Sequence, residues 1–168
     1  LYFRSKEELF LGIAYRALTL LKEMFETAVA AAPTGLEKVR AIGEAHYHYS
    51  HQYPNYFHMV VHYEASQMDQ SSYETTLLQC HQLGKDGMDV VTEAVLAGIE
   101  DGTIRSDLDP LRTAYLLRGM SAGIIQTISR EKQHFEKTEP FSGDELMEDF
   151  MKMMSYSLKS HKSLESNT

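Results

Sequence analysis

The sequence predicts an all-α protein, an antiparallel bundle of about six helices. Apolar residues recur three and four positions apart over long stretches, the spacing that lines one face of a helix. No stretch alternates apolar and polar residues as a half-buried strand does. The breaks between periodic stretches carry helix-start and helix-stop residues, while only 10 glycines and 4 prolines interrupt 168 residues.

The first helix is expected from about Ser5 to Ala31, with Leu9, Ile13, Ala17, Leu20, Met24 and Ala28 on one face. Ser5 caps its start, and Glu8 three residues on completes a capping box. Pro33, Thr34 and Gly35 end it, and a second helix starts near Leu36 with Val39, Ile42, Gly43, His46, Ser50 and Tyr53 on one side. Pro54 lacks an amide donor and suits a first turn, so a short helix follows from about Asn55 to Gln67. After a polar loop at Asp69 to Ser72, a long helix runs to about Asp101 with Tyr73, Leu77, Cys80, His81, Gly84, Met88, Val91, Val95 and Ile99 on one stripe, and Gly102 caps it. Asp109 and Pro110 open the next helix, expected to run to about Glu131. Ser142 and Glu145 form another capping box for a last helix to about Lys159, and a polar tail follows from Ser160.

Composition narrows the function. The chain has 43% hydrophobic and 24% charged residues, an ordinary globular balance. It lacks an 18-residue apolar run and a secretory leader, so a cytoplasmic protein without a membrane partner is expected. Its one cysteine, Cys80, forms no internal disulfide or metal framework. The net charge is −8, with acids clustered at Glu100 and Asp101 and at Glu148 and Asp149. A DNA-binding surface needs a basic stripe to displace counterions, and none is present here. Neither a nucleophile with a base at workable spacing nor a phosphate-cradling glycine loop occurs, so no enzyme and no cofactor is expected.

Two stretches carry a family likeness. The opening Tyr2-Phe3-Arg4-Ser5-Lys6-Glu7-Glu8-Leu9 resembles the segment of tetracycline-repressor (TetR) family transcription regulators that closes the helix-turn-helix and opens the long helix into the effector domain. The stretch from Gly102 through Ile104 to Asp109 and Pro110 is similar to the turn that introduces the penultimate long helix of that family. The resemblance implies a fold of the TetR effector-binding and dimerization type. Residues 1–31 would be the end of the helix-turn-helix plus the connecting helix, and 32–168 the effector-binding and dimerization domain. It implies that Tyr2 and Lys6 touch DNA phosphates while Phe3 packs beneath the helix-turn-helix. The chain opens inside that motif without an initiator Met, so operator DNA is expected to be read by an N-terminal part that is absent. The implied function is a ligand-responsive repressor. A stand-alone helical interaction module, or a helical ligand- or metal-binding enzyme, is the alternative.

The last two helices are apolar on two sides, which calls for two partners. A homodimer through a four-helix interface is expected, with Leu117, Met120, Ile124, Ile128, Leu146, Phe150, Met153 and Met154 at the contact, and the family implies the same dimer. The alternative is that both faces pack within one chain.

Effector cavities between bundle helices are apolar with a few convergent polar groups. The candidate lining is His46, Tyr53, Met59, Tyr63, Tyr73, Leu77, His81 and Met88, with Tyr115, Arg118 and Gln126 from the following helix. These side chains suit a flat or aromatic, weakly polar small molecule, and Arg118 would hold a carboxylate. Five of the 8 histidines fall between His46 and His62. His46 lies on the apolar face, whereas His48 and His51 share a side with Glu37, Arg40 and Glu44 and are expected in solvent. His58 and His62, four apart, are weak candidates for a metal; with no third ligand in pattern, none is expected.

Overall fold

The Ser5 hydroxyl accepts the Glu8 amide at 3.1 Å and starts the first helix, α1, Lys6–Ala30. The computed structural model describes residues 5–66 and 74–160. Five further helices follow: α2 Gly35–Gln52, α3 Pro54–Ala65, α4 Glu74–Glu100, α5 Pro110–Lys137 and α6 Gly143–Leu158. Both capping boxes at the starts of α2 and α6 close, Thr34 pairing with Glu37 and Ser142 with Glu145. The first of these is a box that reading Pro33 to Gly35 as a turn does not include. Tyr2, Phe3, Tyr73, the loop at 69–72 and the tail beyond Ser160 lie outside the described residues.

Helix α2 is the centre of the bundle and touches all five other helices. It buries hydroxyls beside its apolar groups: Tyr49 is fully buried and donates to the Ala17 carbonyl at 3.0 Å. Pairing that hydroxyl avoids the cost of an orphaned polar group in the core. Around α2, helix α1 packs on α3 and α4, and α5 packs on α4 and α6. Leu11, Ala14, Ala17 and Leu18 of α1 meet Val60, Tyr63, Leu77 and Cys80, while Phe25, Ile42, Met88, Val91 and Ala114 continue the core.

The turn after α4 ties three chain segments together. Gly102 takes a positive φ of 78°, which ends α4 without the strain a side chain would bring. Asp101 then accepts the Gly35 amide at 2.7 Å and Thr103 the Leu36 amide at 3.2 Å, so two orphan donors at the start of α2 are capped from another helix. The Arg105 amide donates to the Leu158 carbonyl at 2.9 Å and the Ser160 amide to Thr103 at 3.1 Å. This small antiparallel bridge between Ile104 and Lys159 pins the end of α6. Among the described residues no helix is long and apolar enough to cross a membrane.

Candidate functional site

Polar atoms inside an apolar bundle mark the place where chemistry other than packing is held. His46, halfway along α2, is such a group: its Nδ1 lies 3.0 Å from the Ser121 hydroxyl of α5. Phe25 meets its ring edge-on at 5.9 Å, and Phe57 tilts against it at 5.8 Å. Burial, reinforced by the nearby Arg118 guanidinium, lowers its pKa from 6.5 to about 4, so the ring is neutral at pH 7. A neutral imidazole offers one donor and one acceptor, and Ser121 engages only one ring nitrogen.

The proton balance of His46 has a measurable consequence. The unfolded chain takes up this proton near pH 6.5 and the folded chain only near 4. Stability is therefore full above 6.5 and falls as the pH drops toward 4, by at most about 3 kcal/mol from this group. Thermal melts between pH 7 and 5 are expected to lose part of their slope in His46→Gln; an unchanged slope would show that the imidazole titrates normally.

The accessible side of His46 faces a cavity of about 110 Å³. Its walls are Leu18, Leu21 and Phe25 of α1, Leu36, Val39, Ile42 and Gly43 of α2, Phe57, Val60 and Val61 of α3 and Met88 and Val91 of α4. Leu117, Ser121 and Ala122 of α5 and Phe150, Met151, Met154 and Leu158 of α6 close it. A wider groove of about 720 Å³ lies beside it, lined by Tyr63, Leu77, Cys80, His81, Lys85, Asp89, Leu111 and Tyr115. Leu18, Glu64, Gly84, Met88 and Arg118 belong to both, so the two spaces share a wall.

Arg118 and Glu64 face each other there at 3.7 Å. Although 38% of the Glu64 side chain remains accessible, burial of its carboxyl raises its pKa, and Arg118 pulls the other way. The Tyr63 hydroxyl is the single buried side-chain oxygen or nitrogen among the described residues without a hydrogen-bond partner. Burial raises its pKa to about 12, so it is a proton donor at neutral pH. Cys80, also buried, has its thiol raised to about 11 and is unreactive for that reason.

The structure brings together part of the lining expected from sequence. His46, Met88 and Arg118 wall the inner cavity, and Tyr63, Leu77, His81 and Tyr115 the groove. Tyr53 instead stacks on Tyr56 and tilts against Tyr49, Met59 packs against the Leu11 core, and Gln126 lines neither space. The walls given by α1 and α6 are not among the residues expected from sequence, because periodicity alone does not show which apolar face of a helix meets the cavity. Their second apolar faces, such as Leu18, Leu21 and Phe25, were the available signal.

The candidate dimer residues divide in the same way. Met120 and Met153 are 39% and 69% exposed, as an interface requires of a free subunit. Ile128 is buried against Tyr49, Phe57 and Met147, Ile124 and Leu146 pack on that cluster, and Leu117, Phe150 and Met154 wall the cavity. The strip left bare on α5 is Leu116, Gly119, Met120 and Gly123; on α6 it is Met153 and Tyr156. A Cβ added to either glycine would meet nothing within 4 Å. Lys6 is exposed at the start of α1, with Glu7 and Glu8 beside it. His58 and His62 are exposed and lean on the rings of Phe57 and Phe10, and no group of three potential metal ligands occurs among the described residues.

No family model and no curated protein sequence matches the chain. Solved structures do. The ketosteroid transcriptional regulator KstR2 of Mycobacterium tuberculosis superposes with a TM-score of 0.74 at 16% identity, over 95% of this chain and 76% of that one. The TetR family transcriptional regulator PfmR from Thermus thermophilus gives 0.69 at 20% identity, over 94% and 79%. AibR, solved in complex with isovaleryl coenzyme A and operator DNA, gives 0.70 at 18% identity, over 90% and 75%. The bundle therefore has the TetR-type fold across nearly its whole length, as the sequence motifs implied.

Proposed function

We propose that this chain is the effector-binding and dimerization part of a ligand-responsive transcription repressor of the TetR type. The observation that carries the reading is that α1 supplies Leu18, Leu21 and Phe25 to the wall of an apolar cavity, within a fold shared with such regulators. A small molecule in that cavity presses on the helix that would lead to the DNA-reading head. Tilting α1 changes the spacing of two heads on successive half-sites, and the ligand does this only through its different affinity for the two tilts. The net charge of −8 supports placing operator contacts outside the described helices, with Lys6 at their edge. The bare strips on α5 and α6 support a homodimer through these two helices, the glycines of α5 allowing close approach. Regulators rather than enzymes among the structural neighbours support assigning no reaction to it.

The test is a gel shift with the full-length protein and the DNA upstream of its own gene. A shift that a small molecule releases supports the repressor; turnover of the ligand, or no shift at any concentration, overturns it.

A further inference from the structure

The wall shared by the cavity and the groove carries a charged pair, and the pair is a loose one. Glu64 and Arg118 approach to 3.7 Å, beyond hydrogen-bond distance, with 38% and 42% of their side chains accessible. Such a pair is worth little, because water screens it and two flexible side chains must be held to make it. Gly84 stands at the same boundary with open space where a side chain would be. On the inner side the walls are mostly apolar, His46 is held neutral, and the two cations that also line it, Lys22 and Arg40, are already paired with Glu26 and Glu44. On the outer side Tyr63 is 8% exposed and its hydroxyl is buried without a partner, an arrangement that costs stability until an acceptor reaches it. Lys85 and Asp89 also line the groove, one of each charge.

We infer that the two spaces take one amphipathic anion, its apolar body in the inner cavity and its carboxylate at Arg118, in the place of Glu64 and within reach of the Tyr63 hydroxyl. The inference rests on the reading of the bundle as an effector site and names the chemistry of the effector. Arg118 is the group suited to the exchange, since its planar donor fork holds a free carboxylate better than it holds Glu64 at the present distance. The displaced Glu64 side chain turns toward the water it already touches.

Calorimetric titration of the protein with sodium octanoate and with 1-octanol separates head from tail. Octanoate is expected to bind at least about tenfold more tightly than octanol. Arg118→Gln removes this preference while leaving octanol affinity within about twofold, and Arg118→Lys, which keeps the charge without the planar fork, retains only part of it. Tyr63→Phe weakens octanoate by about three- to tenfold. Equal affinity for the two probes in the native protein, or a preference that survives in Arg118→Gln, overturns the inference while leaving the cavity a ligand site. Binding of neither probe overturns both.

Discussion

Gly35→Ala is expected to be the most damaging conservative substitution in the protein, lowering stability by about 3 kcal/mol or more and the thermal midpoint by about 6–12 °C. A Cβ at position 35 would lie 1.9 Å from the Gly98 nitrogen and 2.2 Å from its Cα. Both obstacles are backbone atoms in the last turn of α4, so neither can turn aside as a side chain would. Moving α2 away from α4 would in turn break the Asp101 and Thr103 caps at its first turn. Gly87→Ala is the control: it meets nothing within 4 Å and should stabilise its helix by up to about 1 kcal/mol. Circular-dichroism melts of the two variants read the contrast directly, and equal midpoints would refute the close crossing of α2 and α4.

Met120→Glu combined with Met153→Glu is expected to turn a dimer into a monomer at micromolar concentration. Both side chains are exposed in the single chain, at 39% and 69%, so neither change disturbs the core. Buried between two subunits, each would place an unpaired carboxylate in an apolar contact, an expensive burial repeated by symmetry. Affinity should fall by at least about a hundredfold. Sedimentation velocity checks this: a native protein that sediments as a monomer contradicts the dimer, and a double variant that stays dimeric moves the interface elsewhere.

The fold was legible where local chemistry acts alone. Ser5, Pro54, Gly102, Asp109 and Ser142 each start or stop a helix through an interaction within a few residues, and each boundary falls within about three residues of its expected place. α5 is the exception, running to Lys137 rather than Glu131, since nothing between those residues breaks a helix. What a helical wheel cannot tell is which of two apolar faces meets which neighbour. Ile128 and Met120 lie on the same apolar helix, yet Ile128 fills the core around Tyr49 and Met120 remains in solvent. His46 was legible as a buried polar residue, but its partner Ser121 lies 75 residues away and only the packing of α5 on α2 brings them together. The orphaned Tyr63 hydroxyl and the loose Glu64–Arg118 pair were invisible for the same reason.

If the cavity controls DNA binding, filling it should uncouple the protein from its effector. Ala122 on α5 lines the space beside His46, so Ala122→Trp should occupy it without touching α1's exposed face. In a gel shift with the full-length protein and its upstream DNA, the variant is expected to bind DNA as the native protein does. It should no longer release it when the low-molecular-mass fraction of its own cells is added at concentrations that release the native protein. Release of the variant at the same concentration as the native protein would show that the cavity does not control DNA binding.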